Sequence, residues 1–219
     1  MGTVQCLKEG GVGEITVKKS RFIATLKPVE TEEEATAFIN EIKKKYWDAK
    51  HNCSAFVVGE NGQLNRCSDD GEPAGTAGRP MLEVLQGIGI TNVCCVVTRY
   101  FGGTLLGTGG LIRAYQGAVK EGLKQSVIVT RMSGTTCEIK TDYGNVGKLQ
   151  SLFGKENVRV ENTDFAADVI FTIVLTKEQE EQIIRQITDA TGGTAVIERV
   201  SETDVDVPFE YSEDGRSDM

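Results

Sequence analysis

Residues 92–115 read NVCCVVTRYFGGTLLGTGGLIRAY. An unbroken apolar run, VCCVV, gives way to an arginine and two aromatics, then to five glycines within nine residues, and then to a helical spacing of Leu111, Tyr115, Ala118, Val119 and Leu123. Strand side chains alternate between faces, so a run that is apolar at every position predicts a strand covered on both sides in the middle of a sheet. Each glycine loses more backbone freedom on folding than another residue would, so their concentration marks a sharp corner, a close approach, or a cradle for a ligand. Strand, glycine loop and helix in that order predict a sheet with helices packed on it.

Working outward, EITVKKSRFIATLKPV (14–29) predicts two short strands or one bent one. ETEEEATAFINEIKKKYW (30–47) predicts a helix whose acids lead and whose lysines follow, as the helix dipole favours, with Ala35, Phe38, Ile39, Ile42 and Tyr46 on its apolar face. CSAFVVGE (53–60) and LNRCS (64–68) predict paired strands joined by the turn ENGQ. RPMLEVLQGI (79–88) predicts a short helix with proline in its first turn. From about residue 134 the pattern restarts as strand, helix, strand, strand, helix, strand, which is the order of the ferredoxin-like split unit. Thr176 with Gln179 three residues on fits a capping box at the second of those helices. The tail, over 208–219, is acidic and aperiodic, and is expected to be mobile.

Composition narrows the function classes. Hydrophobic residues are 39% and charged residues 26% of the 219, ordinary for a globular protein. No apolar run approaches the ~20 residues of a membrane-spanning helix, and the first residues lack the basic flank and apolar middle of a secretory signal, so a cytoplasmic location is expected. Six cysteines without a C-x-x-C pair, and one histidine, argue against a metal centre and for reduced thiols. The net charge of -8 is unevenly spread: residues 1–133 carry 16 basic against 14 acidic side chains, residues 134–219 carry 8 against 18. A polyanion partner is therefore expected on the first part and repelled by the second.

Two glycine junctions share a pattern. Gly75-Thr76-Ala77-Gly78 precedes one helix and Gly107-Thr108-Gly109-Gly110 another, with Arg79 and Arg113 close behind. Read structurally, both are tight loop-to-helix corners. Read functionally, they are helix N-termini that converge on phosphate, with Thr108 as a cap and guanidinium groups supplying bidentate contacts. Gly102 and Gly107 have P-loop spacing, but the lysine that would follow is missing, and the dinucleotide pattern G-x-G-x-x-G is not met. The candidate anion- or RNA-binding set is Arg79, Arg99, Tyr100, Gly102, Gly103, Thr108, Gly109, Gly110 and Arg113. A second, polar set is His51, Asp69, Asp70, Glu72 and Thr76; it suits an acid–base or Mg²⁺ centre, or simply turn formers and arginine partners. No nucleophile motif accompanies it, and no cofactor is implied.

HNCSAFVVGE, SDDGEPAGTAGRPML and NVCCVVTRYFGGTLLGTGGLIRAY, together with the acidic second part, resemble the IMPACT family in its bacterial YigZ-like, two-domain form. The resemblance implies an α+β protein: a ribosomal protein S5 domain 2-like domain over 1–133, then a ferredoxin-like domain over 134–207, both similar to late domains of elongation factor G. It also implies a link to translation, since eukaryotic relatives with an additional N-terminal domain regulate it by competing for a coactivator of the eIF2α kinase. The expected function is that of a translation-linked regulator which binds RNA or the ribosome through the first domain. The alternatives are a phosphate-ester or nucleotide enzyme built on the polar set, and an adaptor that binds a protein partner through the acidic second domain.

Overall fold

The computed structural model describes residues 3–209 and 211, and divides them into two compact units. One takes in Val4–Thr130 with Pro208, Phe209 and Tyr211; the other takes in Arg131–Val207 with Thr3. The chain is an α+β protein in which antiparallel pairing dominates. Among the described residues no helix is long and apolar enough to cross a membrane.

In the first unit five strands form an antiparallel sheet in the order β2 (Val12–Val17), β3 (Ser20–Pro28), β7 (Val93–Tyr100), β4 (His51–Val58), β5 (Leu64–Ser68). Strand β7, the VCCVV strand, is central as its two apolar faces predict. Cys94 and Val96 pack with Phe38 and Ile42 of α1 (Glu32–Lys45) on one face. Cys95 and Val97 pack on the other face with residues of α2 (Gly78–Ile88) and α3 (Thr108–Lys124), including Met81, Tyr115 and Ala118. Helix α1 starts on Thr31, whose hydroxyl accepts from the Glu34 N–H, and has acids in its first turn and lysines in its last. Two short strands were not evident in the sequence: β1 (Val4–Glu9), which pairs in parallel with β6 (Ile90–Thr91).

The second unit follows the order β8 (Val127–Thr141), α4 (Val146–Lys155), β9 (Arg159–Phe165), β10 (Val169–Thr176), α5 (Lys177–Thr191), β11 (Val196–Phe209), with the division between the units falling inside β8. Its strands lie in the order β11, β8, β10, β9. Alternate residues of β8 and β10, Cys137, Ile139, Phe171, Ile173 and Leu175, meet Leu149 and Phe153 of α4 and Ile183 and Ile187 of α5. Thr176 caps α5 as its sequence predicts, its hydroxyl accepting from the Gln179 N–H. The expected mobile tail needs one correction: Pro208 and Phe209 belong to β11, and Phe209 and Tyr211 pack against the first unit's core. Residues 212–219 lie outside the described residues.

Strand β2 lies backbone to backbone on α3. A Cβ on Gly13 would stand 2.3 Å from the Gly122 nitrogen and 2.4 Å from the Glu121 carbonyl carbon, whereas one on Gly87, on the open side of α2, would meet nothing within 4 Å. Backbone atoms cannot rotate away, so Gly13→Ala is expected to cost about 2–3 kcal/mol. Gly87→Ala should instead stabilise by about 0.5–1 kcal/mol, because alanine has less unfolded-state freedom to lose. Urea unfolding of the two variants checks both signs.

Candidate functional site

Register decides where the candidate residues meet. Arg21 pairs with Tyr100 and His51 with Arg99, so the start of β3, the start of β4 and the end of β7 share one end of the sheet. Strand β5 also finishes there, and loops 69–77 and 101–107 carry the chain from that end into α2 and α3. Both glycine junctions and the whole polar set are thereby gathered at one place.

At the centre is a buried ion pair. Arg99, 6% exposed, donates from Nη1 to Glu72 Oε1 at 2.6 Å, and the Tyr115 hydroxyl donates to the same oxygen at 2.8 Å. The guanidinium carbon lies over the rings of Phe22 and Phe101, 5.4 and 5.6 Å from their centroids, which suits a weakly hydrated, delocalised cation. Cys53 Sγ lies 2.9 Å from the Asp69 carbonyl oxygen and 3.3 Å from the Tyr115 hydroxyl. Burial pushes the Cys53 thiol up to about 12 and raises Tyr115 well above an ordinary phenol, so both stay protonated at neutral pH. A protonated thiol is a poor nucleophile, and the Glu72 carboxylate is engaged by two donors. This arrangement locks three elements together rather than activating a group for attack.

The first glycine junction already holds an anion, and the anion is the protein's own. Asp69 Oδ1 accepts from the N–H groups of Ala77 and Gly78 at 3.0 and 2.8 Å, and Oδ2 from that of Gly75 at 2.8 Å. Burial alone would raise its pKa, but these three backbone donors at the start of α2 hold it below the usual carboxylate range. Asp70 is also lowered against the effect of burial, by Lys43 Nζ at 2.6 Å and the Asn52 N–H at 2.7 Å. His51 Nδ1 lies 2.9 Å from the Asp70 carbonyl oxygen, and the Thr76 hydroxyl donates to the Pro73 carbonyl at 2.7 Å. The polar set is thus a loop-holding network.

The second junction differs. Gly107, at φ 71°, is the N-cap of α3, and Thr108 is the first helical residue rather than the cap expected of it. No side chain caps this helix. Gly102 serves close approach: its N–H donates to Ser20 Oγ at 3.1 Å, and a Cβ there would fall 2.0 Å from the Lys19 carbonyl carbon. The glycine loop therefore rests directly on the turn between β2 and β3. Gly109 and Gly110 are less constrained, with Arg113 Nη1 at 3.6 Å and Leu106 Cβ at 3.0 Å from their would-be Cβ atoms.

Around this network stands a rim of cations. Arg99 is committed inside it, and Arg79 pairs with Glu83 along α2 at 2.9 Å. Lys18, Lys19, Lys44, Lys50 and Arg113 are exposed, and none forms an ion pair among the described residues. Tyr100 donates to Asp48 Oδ1 at 2.8 Å, which ties the end of β7 to the segment after α1. Lys44, Lys45, Trp47 and Lys50, exposed beside this end of the sheet, do not stand out in the sequence, because lysines in a last helical turn are explained by the helix dipole alone. The signal present was the unbroken KKKYW at 43–47, with Lys50 just beyond.

Residues 18–123 match the Impact N-terminal domain, and residues 139–194 match a domain of unknown function, DUF1949. The chain is 42% identical over 191 residues to IMPACT family member YvyE of Bacillus subtilis, covering 87% of this chain and 88% of the relative. It is 36% identical over 188 residues to IMPACT family member YigZ of Escherichia coli, covering 85% and 92%. A crystal structure described as that of a hypothetical protein aligns over 92% of this chain and 98% of its own, with 33% identity and a TM-score of 0.58.

Because the folded pKa of Asp69 lies below its unfolded value of about 3.9, its contribution is complete above that value and is lost as pH falls through the folded one. Asp69→Asn should lower stability at pH 7 by about 1–2 kcal/mol through the lost charge-assisted cap. The gap to the unsubstituted protein should close as the pH is taken down towards 2. Urea midpoints across that range check this, and a gap that stays constant contradicts it.

Proposed function

The chain belongs to the IMPACT family, in its two-domain bacterial form with DUF1949 following the Impact N-terminal domain, and on that premise we propose that it is a translation-linked regulator whose first unit binds RNA, free or within the ribosome. We assign the first unit to the ribosomal protein S5 domain 2-like fold and the second, whose strand order is β11, β8, β10, β9, to the ferredoxin-like fold.

The observation that carries the reading is the turn between β2 and β3. Val17 pairs with Ser20, so Lys18 and Lys19 form a two-residue hairpin loop, and both have positive φ, 46° and 68°. That arrangement favours Asn-Gly, and side chains such as lysine are strained in it. Two lysines occupy it nonetheless, exposed and without an ion pair among the described residues, beside the glycine loop. Strain kept at an exposed turn is accounted for by what the charges do there. Lys44, Lys50, Arg113 and the positive end of α3 extend the same field, which suits a phosphate backbone. The excess of acidic side chains in the second part of the chain keeps a polyanion on the first unit.

The test exploits opposite signs. The double substitution Lys18→Asn with Lys19→Gly should raise stability by about 1 kcal/mol by relieving the turn, and should weaken RNA binding at low salt. The slope of log affinity against log salt should fall by roughly 1.4 for two lost single-strand phosphate contacts. Fluorescence anisotropy with a labelled oligoribonucleotide reads the binding and urea unfolding reads the stability. Unchanged affinity in the stabilised variant would remove the turn from the interface.

A further inference from the structure

Trp47, the sole tryptophan of the chain, is 82% exposed. Large aromatic side chains ordinarily bury most of their area, so such exposure needs a reason. The indole does not sit on a loose loop. The Ala49 N–H donates to the Tyr46 carbonyl at 3.0 Å, which closes a tight turn with Trp47 and Asp48 at its outer corner, and Tyr46 is itself anchored by its N–H to the Ile42 carbonyl of α1 at 2.9 Å. Asp48 accepts from the Tyr100 hydroxyl at 2.8 Å, so the turn is pinned to the end of β7. The ring is thus held out on a fixed support.

Its surroundings select the occupant. Lys44 and Lys45 precede it, Lys50 follows, and Lys45 Nζ lies 5.2 Å from the Tyr46 ring centroid. Arg21, paired with Glu14, lies opposite Tyr100 in the sheet register. An apolar protein partner would gain little from an aromatic flanked along the chain by exposed lysines, but a polyanion carrying flat rings matches both features. In a duplex those rings are already stacked on each other, whereas a single strand can offer one to an aromatic platform.

We propose that Trp47 is a base-stacking platform, so that the RNA taken at this end of the first unit is single-stranded. This rests on the RNA-binding reading above and narrows it to a substrate class. Trp47 supplies the stacking face, Lys44 and Lys50 the phosphate contacts beside it, and the Tyr100–Asp48 bond the rigidity.

Trp47 is also its own reporter. The full chain should be titrated at low salt with an oligouridylate of about twelve nucleotides and with an RNA duplex of equal phosphate count, following anisotropy of the labelled RNA and the emission of Trp47. Stacking should quench the emission strongly with the single strand and leave it unmoved by the duplex. Trp47→Ala should weaken single-strand affinity by about five-fold or more without altering the melting temperature, and Trp47→Phe should recover most of the loss. Single-strand binding with unquenched emission, or with affinity unchanged in Trp47→Ala, overturns the platform and leaves the RNA-binding reading standing. Absence of any anisotropy change with either RNA overturns both.

Discussion

The ion pair between Glu72 and Arg99 is the constraint on which the rest of this end of the molecule depends. Two charges taken out of water cost several kcal/mol each unless their mutual attraction and further hydrogen bonds offset it. Here a 2.6 Å contact, the Tyr115 hydroxyl and two aromatic rings offset part of that cost, while the buried Arg99 Nε has no hydrogen-bond partner among the described residues. The pair joins loop 69–77 to the last residues of β7, and through Tyr115 and Phe101 it reaches α3 and the glycine loop. Loss of either partner alone would leave a buried charge with no counterion, on the order of 3–5 kcal/mol.

That pair also explains a division of labour among the charged residues. Charges within the network are matched inside the protein: Glu72 by Arg99, Asp70 by Lys43, Asp69 by three backbone N–H groups. Cations of the rim, Lys18, Lys19, Lys44, Lys50 and Arg113, have no such partner among the described residues. On the proposed reading, this internally matched floor would fix the backbone from which the outer charges and Trp47 project, and less backbone ordering entropy would be lost on binding. The glycines of 102–110 belong mainly to this geometry. Gly102 lets the loop lie against the Lys19–Ser20 backbone, and Gly107 supplies the positive φ from which α3 departs.

Much of the architecture is legible in the sequence where periodicity is strong. VCCVV reads as a doubly covered strand, the helix over 32–45 announces its apolar face and charge order, the helix over 177–191 its cap, and the second unit's element order follows from its alternating patterns. Strands β1 and β6 escape such a reading because they are short, lack alternation, and pair with each other across 85 positions. At this end of the sheet, sequence brings forward the two loops and arginines as partners for the acids, but not which group meets which. Arg99 finds Glu72 across 27 positions, and Asp69 reaches eight and nine residues ahead to fill the helix start that might otherwise have been kept for a ligand. Such pairings depend on register and loop closure, neither of which any local pattern encodes. The strained Lys18–Lys19 turn is likewise invisible until the strand register around it is known.

The measurement that bears most directly on this account is amide chemical-shift mapping of the full chain on addition of an unlabelled single-stranded oligoribonucleotide at low salt. The account predicts shifts confined to one end of the first unit, over residues 18–21, 44–50 and 100–113, with the second unit's amides in 143–195 unmoved. Shifts centred on the second unit, or scattered without regard to that end of the sheet, would contradict it.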